Sequence, residues 1–204
     1  MNLLTVLLVI LGAGGIFFLA SFVMDVVKHK DDLGKENPVL GFFIGLVTDF
    51  FDTLGIGSFA PTTLLFKVTK FLDTDKKIPG TLNVAHTVPV LMEAFLFLTG
   101  VKVEGVTLFS MIAAAIIGAL VGARIVNKLP EKKIQLVMGV CLIVTAFLMM
   151  SGQLGWLKAL GAGNEAVGLT GIKLVIGVVG NFILGALMMA GVGLYAPCMA
   201  MVYM

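Results

Sequence analysis

The sequence predicts an all-α, polytopic integral membrane protein, a helix bundle built from inverted-topology repeats with broken, re-entrant-like helices. Three observations lead there. Of 204 residues, 59% are hydrophobic and 13% charged, with a mean hydropathy of +1.08, so the surface is matched to lipid rather than to water. Several apolar runs reach the roughly 20 residues that a helix needs to cross the hydrocarbon core. The motif Gly55-Ile-Gly-Ser-Phe-Ala-Pro61 returns as Gly191-Val-Gly-Leu-Tyr-Ala-Pro197, and each copy interrupts an apolar run. Glycine and proline inside such a run unwind the backbone, which lipid tolerates only where protein or a water-filled cavity satisfies it. Nothing alternates with period two over the length that a membrane barrel strand requires.

The elements follow in order. Residues 3 to 27 form the first span. It lacks a basic start, its apolar stretch is too long for a secretion signal, and Asp25 and Lys28 follow without a small-residue cleavage site, so it reads as a retained helix. Residues 39 to 66 are apolar but broken at the first motif. Residues 79 to 99 make a span that carries polar groups, with Pro89 placed to kink it. Residues 105 to 126 and 134 to 151 are uninterrupted spans, and 170 to 204 is broken at the second motif. Gly118, Gly122 and Ala123 give a small-xxx-small face for close helix packing. Trp156 reads as an interfacial anchor. Cys141 and Cys198 lie in apolar runs and fit neither a disulfide framework nor a zinc site; they read as small buried hydrophobes.

The basic residues set the topology. If residues 39 to 66 crossed once, Lys and Arg would divide almost evenly between the two sides, against the expectation that short cytoplasmic loops collect them. If the segment enters and returns on one side, loops 28–38, 67–78 and 124–133 together carry Lys28, Lys30, Lys35, Lys67, Lys70, Lys76, Lys77, Arg124, Lys128, Lys132 and Lys133, leaving Lys102, Lys158 and Lys173 opposite. That bias predicts a hairpin or an even number of crossings, those three loops in the cytoplasm, and the N-terminus outside. The segment beginning near Gly171 then enters from outside, so the two breaks approach the membrane centre from opposite faces, as in secondary transporters with inverted repeats.

At an offset of 136 residues Gly41 meets Gly177, Gly55 meets Gly191, Gly57 meets Gly193, Ala60 meets Ala196 and Pro61 meets Pro197, with Phe59 opposite Tyr195. The expected organisation is a first repeat, 1–133, of one helix, a broken hairpin and two helices, and the start of a second, 134–204, with its helix and hairpin. Counterparts of residues 69 to 133 would fall beyond Met204. The pattern therefore predicts a second repeat that is cut short in this chain, or a unit completed by another subunit in a homo-oligomer.

Polar residues inside the apolar runs mark the candidate site. Asp49 and Asp52 share a helical face with Gly45 and Thr48 just before the first break, and ionised carboxylates in a bilayer are costly enough that function usually explains them. Asn83, His86 and Glu93 fall on one stripe, with Thr87 beside it; Glu93 lies nearer the outer end. Histidine changes charge near physiological pH, so Asp49, Asp52 and His86 are the proton-coupling candidates. Free N–H groups where a half-helix restarts favour an anion, and Ser58 adds a hydroxyl. The substrate-binding candidates are Thr48, Asp49, Asp52, Thr53, Gly55, Gly57, Ser58, Pro61, Asn83, His86, Gly191, Gly193, Tyr195 and Pro197. Arg124, at a helix end, anchors topology. No metal-ligand cluster, cofactor motif or nucleic-acid patch is present in the sequence.

The glycine-rich break followed by proline, the helix Ile117-Gly-Ala-Leu-Val-Gly-Ala-Arg124, and then Leu129-Pro-Glu-Lys-Lys133 with a further apolar helix resemble the sulfite exporter TauE/SafE (TSUP) family of membrane transporters. The resemblance runs from about residue 39 to 150 and again from 171 to the end. It implies secondary transport of sulfur-containing anions such as sulfite and sulfonates, with Gly55, Gly57 and Pro61, and again Gly191, Gly193 and Pro197, as the family's break. This chain departs from the family's glycine-richer pattern at Ser58, Phe59, Leu194 and Tyr195.

The leading expectation is thus a transporter of a small, sulfur-bearing anion in the cytoplasmic membrane, with the lipid bilayer and that anion as its partners. A membrane scaffold without flux is the alternative. An intramembrane aspartyl enzyme is disfavoured, because the Gly-x-Gly-Asp pattern is missing and the two aspartates share one helix, and no Gly-x-Ser-Gly serine motif occurs.

Overall fold

A computed structural model describes residues 3–32, 34, 36–55, 57–100, 104–156, 168–193 and 198. Within these residues the chain is wholly helical, with α1 (Leu3–Lys28), α2 (Pro38–Thr53), α3 (Phe59–Thr69), α4 (Ile78–Ala85), α5 (Thr87–Gly100), α6 (Gly105–Val126), α7 (Glu131–Gln153) and α8 (Gly171–Met188). Tyr195, Pro197, Leu194, Lys35, Lys102 and Lys158 lie outside the described residues. Among the described residues, α1, α6 and α8 are long and apolar enough to cross a membrane. The 23 residues of α7 also exceed the roughly 20 of a crossing. The surface is correspondingly apolar: Phe17 is 76% exposed, Leu96 73% and Ile143 73%, side chains that only lipid can match. This is a helical membrane protein.

The first broken segment folds as a hairpin. Pro38 opens α2, and the Asn37 side chain caps it by accepting from Val39 and Leu40 N–H, which satisfies donors that a helix start leaves free. At 16 and 11 residues, α2 and α3 are about 24 and 17 Å long. Each falls short of the roughly 30 Å hydrocarbon core. Phe71, just past α3, packs on Gly41, near the start of α2, so close that an added Cβ on Gly41 would stand 3.0 Å from its ring. The two ends of the hairpin therefore return to one level.

The span expected at 79–99 is divided, which corrects the single helix read from the sequence. Pro89 has no N–H to offer the carbonyl of Ala85, and its ring crowds that carbonyl. The helix accordingly breaks at His86, between α4 and α5. The axis is notched rather than cut, because His86 N–H still donates to Leu82 O at 3.1 Å and Val90 N–H to His86 O at 3.1 Å.

Elsewhere, small residues let helices approach. A Cβ on Gly118 would collide with the carbonyl of Phe182, one on Gly122 with that of Ala186, and one on Gly185 with that of Ala115. With Thr107 beside Leu169 at one end and Gly122 against Ala186 at the other, α6 and α8 run parallel. At their starts, Leu169 N–H donates to Thr107 Oγ1 at 2.9 Å, while Glu104 caps α6 through the Thr107 N–H and hydroxyl. Helices α1 and α5 pack antiparallel through Gly12 against Phe95 and Gly15 against Leu91. The buried core gathers Ile44, Phe59, Phe66, Ile78, Leu82, Ile134 and Met138, with Met188 against it. It therefore encloses both the first break and the end of α8.

A polar clasp secures the loop end of this core. Lys67 Nζ donates to Asp75 Oδ2, Gln135 Nε2 donates to the same oxygen at 2.7 Å, and the Asp75 N–H donates to Glu131 Oε1 at 3.0 Å. The clasp ties α3, the 3-10 turn Asp75–Lys77 and α7 together. The Lys67 hydrogen bond holds the Asp75 carboxyl below its ordinary range, opposed by partial burial.

Two outcomes follow. Gly118→Ala should lower the thermal midpoint in detergent by the equivalent of about 1–3 kcal/mol of overpacking, whereas Gly139→Ala, with nothing within 4 Å of its added Cβ, should be neutral or slightly stabilising. Asp75 is depressed in the folded state, so its contribution is present above the unfolded carboxylate value of about 3.9 and disappears as pH falls through the lower folded value. Asp75→Asn should therefore lower the midpoint at pH 7, by about 1 kcal/mol or less because Lys67 is half exposed, and that gap should close in melts run below pH 4.

Candidate functional site

The polar groups of the first break are assembled by three elements. Helix α2 ends at Thr53 and delivers Asp49 and Asp52. Gly55 and Gly57 then carry the chain through left-handed backbone at φ 80° and 84°, a region L side chains avoid, and α3 restarts at Phe59. Ser58 stands at the start of α3 without capping it; its hydroxyl donates instead to Asp52 Oδ2 at 2.7 Å. The notch before Pro89 presents His86, 2% exposed, with its ring 5.6 Å from the Phe59 ring centroid.

His86 joins the two arms of the hairpin. Its Nδ1 lies 2.6 Å from Asp49 Oδ1 on α2, and its Nε2 lies 2.9 Å from Thr62 Oγ1 on α3. Thr62 Oγ1 is also 2.8 Å from the Ser58 carbonyl. A hydroxyl has one hydrogen and a carbonyl can only accept, so Thr62 donates either to Ser58 O, accepting from His86 Nε2–H, or to His86 Nε2, with the Ser58 carbonyl keeping the Thr62 N–H at 3.0 Å. In the first arrangement a proton is also needed between His86 Nδ1 and Asp49, as imidazolium with carboxylate or imidazole with carboxylic acid; in the second, Nδ1–H donates to the Asp49 carboxylate. Either way both ring nitrogens of the buried His86 are bonded, which burial of a polar ring requires.

The remaining candidates fall into distinct places. Thr48 is fully buried and donates to Ile44 O at 2.9 Å, so it packs rather than presents a free donor. Thr53 is exposed and donates to Phe50 O at 2.7 Å, apart from the His86 chain. Pro61 lies in the first turn of α3. Asn83 donates to Pro79 O at 2.8 Å and, across the bundle, to Met188 O at 3.2 Å. Thr87 donates to Asn83 O. Glu93 lies half-buried on α5.

At the second motif, Gly191 turns at φ 85°. A Cβ there would stand 3.2 Å from Met138 Cε and 3.4 Å from Pro79 Cα, and one on Gly193 would stand 3.5 Å from Phe59 Cβ. The second break thus packs directly against the first. Asn181, buried in α8, donates to Gly177 O at 2.9 Å and receives the Cys198 thiol at 3.8 Å.

Sequence reading missed Thr62, Thr63 and Asn181. Thr62 holds the ring of His86, and its neighbour Thr63 buries a hydroxyl with no partner among the described residues. The available signal was polar residues one turn apart, Ser58 and Thr62, in an apolar half-helix. No group of three or more metal-ligating side chains occurs among the described residues.

Comparison with protein families matches residues 2–149 to the family described as sulfite exporter TauE/SafE. Comparison with curated proteins and with solved structures gives no match.

Thr62→Val keeps the shape of the side chain but leaves the buried His86 Nε2 without its partner. It should cost about 1–3 kcal/mol in denaturant titrations of the detergent-solubilised protein, and Thr62→Ser should restore most of that loss.

Proposed function

The chain belongs to the sulfite exporter TauE/SafE family, and on that premise we propose that it is a secondary transporter carrying a small, sulfur-containing anion, such as sulfite or a sulfonate, across the cytoplasmic membrane in step with protons. The observation that carries the coupling is the Asp49–His86–Thr62 chain at the break, in which His86 and Thr62 are buried and Asp49 is partly exposed. When the pair loses its proton, Asp49 remains as a carboxylate and the one remaining ring proton moves to Nδ1, facing it. Nε2 then becomes an acceptor, and the Thr62 hydroxyl turns to it from Ser58 O. One proton thereby loosens the first turn of α3.

The anion binds where α3 restarts. Ser58 directs its hydroxyl to Asp52 rather than to the helix, so the first N–H groups of α3 and the positive end of its dipole face the substrate. Asp52 opposes it. At an effective dielectric of 20, two like charges about 5 Å apart repel by about 3 kcal/mol, so protonation near the break favours occupancy, and transport rises as pH falls.

In this reading, residues 1–133 and 134–204 belong to inverted repeats whose breaks meet at Phe59 and Gly193. Loops 28–38, 67–78 and 124–133 face the cytoplasm and the N-terminus lies outside. The closed hairpin, with Phe71 beside Gly41, supports return to the side of entry. The parallel packing of α6 and α8 supports entry of both from one face.

The test is uptake of labelled sulfite by proteoliposomes holding the full-length protein under an imposed pH gradient. The account expects saturable flux with a pH response on the order of tenfold, a common size for coupled sites, and a flat profile in Asp49→Asn and His86→Gln. A scaffold would assemble normally and carry no flux; absence of transport for sulfite, sulfonates and other small anions alike would overturn the proposal.

A further inference from the structure

A cavity of about 500 Å³ opens beside α4, separate from the hydrogen-bond chain at the break. Its walls come from α4, the end of α6, Ile134 of α7 and Met189, and its polar groups are Lys76, Lys77, Thr81, Asn83 and Asn127. Its volume is many times the roughly 30 Å³ share of one water in the liquid, so it admits a small anion with part of its hydration shell.

The charged side chains that line it are two lysines. Lys77 pairs with Asp73 at 2.9 Å, while Lys76 has no ion-pair partner among the described residues. Among the described residues no carboxylate lines the cavity, in contrast to the break, which holds Asp49 and Asp52. An anion is therefore drawn to the cavity more readily than to the break itself.

The inner wall is the Asn83 amide. It holds Met188 O across from α4, Met189 continues into the wall, and Asn83 lies one helical turn before His86. Leu82, fully buried, and the Gly191 turn close the space beside it. On this side Ile134 joins the cavity to the buried core of Leu82 and Phe59, and the Asn83 hydrogen bond ties α4 to the end of α8.

We propose that this cavity is a vestibule binding the oxyanion ahead of the break, with Lys76 and Lys77 attracting it and Asn83 separating it from the His86 chain. This rests on the transport reading above and adds a second, earlier binding place to it. Strong salt should weaken the attraction, since the lysines lie at an exposed rim.

The experiment uses the full-length protein with Cys141 and Cys198 replaced by alanine and Thr81→Cys introduced, reconstituted in liposomes and treated with a charged thiol reagent applied to either face. Methanesulfonate, which unlike sulfite does not consume the thiol reagent, should protect the new thiol in a saturable way. In parallel, Lys76→Gln should raise the KM for sulfite about tenfold at low salt, with the change in KM rather than kcat, while Lys173→Gln at the start of α8 leaves KM unmoved. Flux with no protection by the sulfonate and an unchanged KM in Lys76→Gln would overturn the vestibule and leave the transport reading intact. Protection without flux of any anion would support the binding place while overturning transport.

Discussion

In hydrocarbon, a backbone N–H or C=O without a partner costs several kcal/mol, and the architecture around both breaks answers that constraint. The glycines at 55 and 57 turn the chain, but a turn alone leaves polar groups bare. They are enclosed because α2 and α3 are too short to cross and fold back together, with Ile44, Phe59 and Phe66 in the main buried core. The notch created by Pro89 faces this hairpin, and the turn at Gly191 seals against Pro79, Leu82 and Met138. Three irregular stretches of backbone therefore shelter one another, and none has to face lipid alone.

That shelter also determines the chemistry. Placing His86 in the notch frees its ring to span from Asp49 to Thr62, which a side chain on an uninterrupted helix would do less readily. Burial then demands that both ring nitrogens be bonded, and the single hydrogen on Thr62 ties its bond with His86 to its bond with Ser58 O. The positive charges sit apart from this centre: Lys67, Lys76 and Lys77 cluster where α3 ends and α4 begins, and Arg124 lies in the last turn of α6. The fixed cations and the Asp49–His86 pair thus lie on different elements.

Much of this was legible in the sequence. Span lengths and the interrupted runs follow from composition and from Gly and Pro, so α1, α6 and both sides of the first break were placed within a residue or three. Asp49 and His86 stood out because charge in an apolar run is conspicuous. Thr62 did not, since a threonine in a membrane helix usually bonds its own backbone, as Thr48 and Thr53 do; its second contact depends on a partner 24 residues away. The division of α4 from α5 was likewise hidden, because a proline can kink a helix without ending it, and the outcome here reflects the packing of His86 against the hairpin. The partner of the Gly118–Gly122 face was also unreadable, since small-residue spacing reveals closeness but not which helix comes close.

The proposed coupling rests on a proton shared by Asp49 and His86, whose loss turns the Thr62 hydroxyl from Ser58 O to Nε2. Solid-state NMR of ¹⁵N-histidine-labelled protein in bilayers reads it directly, because the chain has only two histidines and Asp49→Asn would identify the resonance of His86. The account predicts a protonated Nε2 with a shared proton at Nδ1 in acid, and a bare Nε2 with Nδ1–H after the pair deprotonates. An Nε2 that stays bare at every pH, or a His86 signal indifferent to Asp49→Asn, would contradict it.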